Sequence, residues 1–198
     1  MTFLNALFTA ALDNNLVFAQ LIGMVSVVLV AGRPQDSFRF GAMIAVATAV
    51  AGALGWPLYT QLMQPWGVAY LAPLAYVLVS WAVIVVVATI LGAGKSVAER
   101  ERLLRACSII ACNAAVLAVS LGNAAAAETM TWDAALGSSF GAGLGVLLAV
   151  VLFAFVRDRI DERLVPAALR GLPITLVTAS LMALAFTGVA GIAGGLFV

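Results

Sequence analysis

Long apolar runs alternate with short polar connections along the 198 residues of the chain. A membrane-crossing helix needs about 20 consecutive, predominantly apolar residues. Six runs meet that length, at roughly 3–31, 40–62, 69–92, 106–126, 134–156 and 172–196. Pro65 and Gly67 punctuate the connection after the second run, and Pro166, Gly171 and Pro173 bound the last. Gly55 and Pro57 predict a bend late in the second run, because proline removes a helical hydrogen-bond donor and crowds the preceding turn. The pattern predicts an all-α integral membrane protein, one domain over residues 1–198, with six transmembrane helices.

Composition narrows the picture further. Hydrophobic residues make up 64% of the chain and charged residues only 10%, against about 25% charged in soluble domains. So few charges cannot keep that much apolar side chain in water, so lipid is the solvent for most of the chain. The net charge of +1 gives no reason to expect nucleic acid as a partner. With Arg33 as the first basic residue, the charged start of a secretory signal is missing, and the first apolar run is expected to remain as a span.

Charge placement sets the expected orientation. Arg33 and Arg39 flank the start of the second run, Lys95, Arg100, Arg102 and Arg105 precede the fourth, and Arg157, Arg159, Arg163 and Arg170 precede the sixth. Those three alternate connections hold all ten basic residues, and the intervening ones hold none. Lys and Arg in short loops stay on the cytoplasmic side. Both termini are therefore expected outside, in a multi-pass protein of the bacterial inner membrane.

The two halves repeat weakly, about 3–92 against about 106–196. Asn14 to Gly23 aligns with Asn113 to Gly122, and four of the ten positions are identical. Each half holds three spans, so the second half enters the membrane inverted relative to the first. Inverted repeats place functional sites near the midplane, often at discontinuous helices. Asp13, Asn14 and Asn15 fall about ten residues into the first run, which is near mid-membrane at about 1.5 Å per residue. Polar groups there are expensive in lipid, and asparagine competes with the helix for backbone hydrogen bonds. Spans 1 and 4 are accordingly expected to be broken, near Asn14–Asn15 and Asn113. Those asparagines either satisfy the backbone at the breaks or line an ion path.

Few other residues carry chemistry. Histidine is absent, and no Ser/His/Asp or Cys/His set or intramembrane carboxylate pair can be assembled. No catalytic residue is assigned, and a self-contained enzyme is not expected. Cys107 and Cys112 are the only thiols. Their spacing of five puts them about 140° apart on a regular helix, so they do not converge as a chelating pair. Gly94-Lys95-Ser96 resembles the end of a phosphate loop, but Thr89 replaces the required upstream glycine and no strand precedes it. Gly137, Gly141 and Gly145, and again Gly191 and Gly195, read as surfaces for close helix approach.

Several stretches resemble one known family. They are Asn14-Asn15-Leu16-Val17 followed by Leu21-Ile22-Gly23; Asn113 followed by Ala115-Val116-Leu117; Gly141 to Arg163; and Arg170 through Phe186. On these residues the chain is similar to the six-span subunits of the Rnf electron-transport complex and the sodium-translocating NADH:quinone reductase. It is closest to the branch that holds the A component of Rnf and the E component of the reductase. The resemblance implies a partner, a homologous six-span subunit of opposite orientation, and further flavin and iron–sulfur subunits. It also implies a 2Fe–2S cluster shared between the two six-span subunits, each giving one cysteine from each broken helix, with electron transfer coupled to sodium or proton transport. In this chain the two matching positions are Val25 and Ala114. Neither can ligate iron. Cys112, two residues from the second position, is the candidate substitute ligand, with Cys107 behind it; no flavin site is evident in the chain.

The expected function is thus a membrane subunit of an ion-translocating electron-transport complex, with a modified or absent cluster. A secondary transporter or channel on the same inverted repeat, or a redox-inactive structural paralogue, are the alternatives.

Overall fold

The computed structural model describes residues 2–30, 34–94, 96–99, 101 and 113–189. Among these, every regular element is helical. The first is α1, Phe3–Phe8, continued by a wider π turn over Thr9–Asp13. A non-helical stretch leads to α2, Met24–Val30. Next come α3, Pro34–Pro57, extended by a π turn over Leu58–Met63, and α4, Ala72–Leu91, entered through a 3-10 turn at Ala69–Leu71. The last three are α5, Ala114–Ala125; α6, Trp132–Asp158; and α7, Leu172–Val189.

Three helical segments are long and apolar enough to cross a membrane: Ser37–Met63, Ala69–Ile90 and Trp132–Asp158. Three shorter apolar helices accompany them, Phe3–Asp13, Ala114–Ala125 and Leu172–Gly188. The first is short because the chain leaves the helix after Asp13. The second begins at Ala114, capped by Asn113, and the expected break of that span depends on preceding residues that lie outside the described ones. Winding widens just after Pro57, where Gln64 N–H reaches the Tyr59 carbonyl at 2.9 Å. The proline thus marks a change of winding within the span.

Helix α6 is the centre of the bundle, packed most extensively on α3 and α1. Its glycines explain how. A Cβ on Gly137 would lie 2.3 Å from the Phe3 carbonyl oxygen, and one on Gly141 would lie 2.1 Å from that of Leu7. On Gly145 it would stand 2.9 Å from the Ala11 oxygen. The stripe is therefore the seat of α1, with backbone lying directly on backbone. On another face, a Cβ on Gly143 would stand 2.5 Å from the Ala45 carbonyl of α3. Gly191 and Gly195 lie outside the described residues.

The same contacts fix helix directions. Phe3, Leu7 and Ala11 meet Gly137, Gly141 and Gly145 in ascending order, so α1 and α6 run parallel. Gly41 meets Val150 while Gly52 meets Ser139, so α3 runs antiparallel to α6. Arg39 and Arg157 thus belong to one end of the bundle, and Phe3 and Trp132 to the other. At the basic end, Arg157 Nε donates to Thr175 Oγ1 at 3.0 Å, and its guanidinium pairs with Glu162, joining α6 to α7. Aromatic residues gather at the opposite end. There Trp56 and Trp132 have ring centroids 5.5 Å apart, and Trp66 and Tyr70 are exposed. Such amphipathic rings favour the membrane–water interface.

Candidate functional site

The break after α1 is a hydrogen-bonded structure. Asn14 ends the π turn, its N–H bonded to the Thr9 carbonyl at 2.7 Å. Asn15, fully buried, then spends its whole amide on the backbone. Its Nδ2 donates to the Ala11 carbonyl at 2.9 Å and to the Gly145 carbonyl of α6 at 3.0 Å. Its Oδ1 accepts from Val17 N at 3.0 Å and Phe18 N at 3.2 Å. One side chain therefore ties α1 to α6 and takes up two N–H groups that the broken helix leaves over. In lipid such groups have no water to turn to. The chain closes the break with Leu21 at φ 59° and Gly23 at φ 78°. A left-handed leucine is costly, and the surrounding bonds hold it there.

The start of α5 repeats this chemistry. Asn113 is extended at φ −69°, ψ 128°, and its Oδ1 accepts from Ala115 N at 2.9 Å. It is an ordinary N-cap, satisfying a first-turn donor. By role, its counterpart in the first half is Asn15, one residue beyond the Asn14 that sequence alignment pairs with it. The second residue after each asparagine gives its N–H in both cases.

The first break meets the start of α5. A Cβ on Gly23 would lie 3.2 Å from Asn113 Oδ1 and 3.3 Å from Ala115 Cβ. Glycine serves here twice over, for its positive φ and for this close approach. Val25 follows two residues after Gly23 and is 73% exposed, and Ala114, next to Asn113, is exposed as well. Two helix starts separated by about ninety residues of sequence thus converge, with both matching positions at the junction. The donor set there does not fit an iron–sulfur cluster, since neither an isopropyl nor a methyl group has a lone pair to give iron. Cys107 and Cys112 lie outside the described residues. Among the described ones, no group of three or more His, Cys, Asp or Glu could hold a metal.

A cavity of about 310 Å³ adjoins the first break. Thr9, Asn14 and Gln20 line it from the break, Asn123 from α5 and Ser138 from α6, with Met130 towards the turn between α5 and α6. Asn14, unlike its neighbour, has no hydrogen bond from its side-chain amide among the described residues. The three asparagines therefore divide. Asn15 and Asn113 serve the backbone, and Asn14 lines the cavity. Gln20 and Asn123 are cavity residues that reading by motif missed. The available signal was that both are amides within spans, where polar groups are costly.

Known proteins are similar to this chain over nearly its whole length. Residues 3–193 match the family described as Rnf-Nqr subunit, membrane protein. The A component of a Na(+)-translocating ferredoxin:NAD(+) oxidoreductase complex from Acetobacterium woodii is 31% identical over 191 residues, covering 96% of this chain and 98% of that one. The A component of an ion-translocating oxidoreductase complex from Syntrophotalea carbinolica is 33% identical over 189 residues, 96% of each chain. The protein of the same description from Edwardsiella ictaluri is 33% identical over 191 residues, 96% of this chain and 97% of that one.

Proposed function

Because the chain belongs to the Rnf-Nqr family of membrane subunits, we propose that it is the A component of an ion-translocating oxidoreductase complex. The observation that carries this reading is similarity over 96% of this chain and 96–98% of the relatives of that description. Its internal architecture agrees, since an asparagine-bonded break in the first apolar run meets an asparagine-capped helix start inside an apolar bundle.

The chain sits in the bacterial inner membrane as a multi-pass protein with both termini outside. Support comes from Arg39 and Arg157, which share one end of the bundle while α1 starts at the other. Its partner at the junction is a homologous six-span protein of opposite orientation. Leu21 and Val25 are exposed around non-helical backbone there. Such backbone is tolerated at membrane depth only where protein or a water-filled cavity surrounds it. Flavin-bearing and iron–sulfur subunits complete the assembly.

The 2Fe–2S cluster implied by the family is not held at Val25 and Ala114, because those side chains offer iron no ligand. The role assigned to this chain is therefore to build the membrane path and its partner surface. Electrons cross through groups other than these two side chains. Affinity purification of the full chain from native membranes, with mass spectrometry of what accompanies it, tests the reading. Flavin and iron–sulfur subunits and a second six-span protein are expected. Purification of the chain alone, with cation flux after reconstitution in liposomes, would favour a stand-alone transporter instead.

A further inference from the structure

The cavity beside the first break holds a buried amide whose oxygen the fold leaves without a partner among the described residues. Asn123 is 2% exposed. Its Nδ2 donates to Ser139 Oγ at 3.0 Å and to the Ala135 carbonyl at 3.3 Å. The Ser139 hydroxyl hydrogen is itself committed to the Ala135 carbonyl at 2.7 Å. Ser139 Oγ can therefore only accept from Asn123, which fixes the amide with its nitrogen towards α6 and its oxygen away. That oxygen has no partner among the described residues, and it opens on the cavity rather than being sealed in protein. A carbonyl acceptor facing nothing inside a membrane protein is strongly unfavourable. The cavity must therefore supply a donor or a cation.

The rest of the lining agrees on which. Asn14 carries an uncommitted amide, and Gln20 uses its Nε2 on the Asn14 carbonyl, at 3.4 Å, leaving Oε1 over. Thr9 Oγ1 donates to Asn5 and keeps its lone pairs. No carboxylate and no basic side chain lines the space among the described residues. Neutral oxygens without a carboxylate do not suit a divalent cation, which is normally held by one or two. A quinone, being an acceptor only, would leave the Asn123 oxygen unanswered. Helix α1, with its π turn, ends at the cavity, and a helix C-terminus carries partial negative charge. The volume of about 310 Å³ holds on the order of ten waters at about 30 Å³ each.

We propose that this cavity, between α1, α5 and α6, binds a partly hydrated monovalent cation through Asn123 Oδ1, Asn14 and Gln20. It lies in the half of the bundle opposite Arg39 and Arg157, lined from Asn14 and Gln20 at the first break to Met130 beside the turn between α5 and α6. The proposal rests on the reading of this chain as part of an ion-translocating complex, and gives that reading a location for the ion on the non-basic side.

Thermal unfolding of the purified assembly containing this chain tests it, in NaCl, LiCl, KCl or choline chloride at constant ionic strength. Sodium or lithium is expected to raise the melting temperature above choline. Asn123→Leu is expected to raise the sodium concentration for half-maximal stabilisation about tenfold or more, the effect of losing one ligand to a charge. Asn14→Ala and Gln20→Leu, which disturb no buried hydrogen bond, should shift it in the same direction even if Asn123→Leu assembles poorly. No cation-specific stabilisation of the unsubstituted protein would mean that the cavity holds water only, and would overturn the proposal. Stabilisation unaffected by Asn14→Ala and Gln20→Leu would overturn it equally, by placing the ion elsewhere. Absence of redox subunits from the preparation would count against the complex, while the stabilisation data on the chain would still decide the site.

Discussion

Replacing Asn15 by alanine removes four hydrogen bonds at once, two donated to the Ala11 and Gly145 carbonyls and two accepted from Val17 and Phe18. The two carbonyls lie in helices and keep other bonding opportunities. The two N–H groups sit in the non-helical stretch, where the Asn15 oxygen is the acceptor they have. Leaving a buried donor unsatisfied costs about 1–3 kcal/mol, so the pair costs about 2–6 kcal/mol. At the lower end this lowers the melting temperature of a chain this size by about 4–8 °C. Asn113→Ala loses the bond from Ala115 N and is expected to cost about half as much, roughly 1–3 kcal/mol. Asn14→Ala loses no side-chain bond and is expected to stay within about 0.5 kcal/mol. Thermal unfolding in detergent, in choline chloride, gives the order directly. If Asn14→Ala destabilises as much as Asn15→Ala, the division of the asparagines between backbone and cavity is wrong.

Other consequences can be checked separately. Gly141→Val places side-chain carbon where the Leu7 carbonyl lies, and α1 is expected to undock, with folded protein in membranes falling severalfold by fluorescence-detected size exclusion. Gly188→Val meets open space and is expected to leave that yield unchanged. Iron and labile-sulfide content and the EPR spectrum of the purified complex should be unaltered by Cys112→Ser; loss of a reduced 2Fe–2S signal would make Cys112 the substitute ligand. With both native cysteines replaced by serine, Trp66→Cys should react with a membrane-impermeant maleimide on intact cells. Arg163→Cys in the same background should react only after permeabilisation, and the reverse pattern would invert the topology.

Much of the architecture was legible in the sequence because lipid imposes one-dimensional rules. Apolar run length marked the helices, Pro57 marked the change of winding, and the spacing of Gly137, Gly141 and Gly145 marked a close helix contact. The break at Asn14–Asn15 was legible for the same reason, since an asparagine pair amid apolar residues has to bond with something. Which asparagine does what was not legible. Asn14 and Asn15 differ by one position, yet one faces α6 and the other the cavity, and only the π turn over Thr9–Asp13 decides this. Nor did sequence bring Gly23 to Asn113, because that contact depends on how two distant helix starts pack. Asn123 and Gln20 were passed over as single amides in apolar helices. Their significance lies in which of their atoms are already engaged, and that is a property of three-dimensional neighbours.

Membership of a working ion-translocating oxidoreductase is tested most directly by cation uptake driven by electron transfer, in membrane vesicles from cells with and without the gene. Uptake is predicted to disappear with the chain, to return when the unsubstituted gene is supplied, and to return unchanged with the Cys112→Ser form. Uptake and electron transfer that proceed equally well in its absence would contradict the assignment.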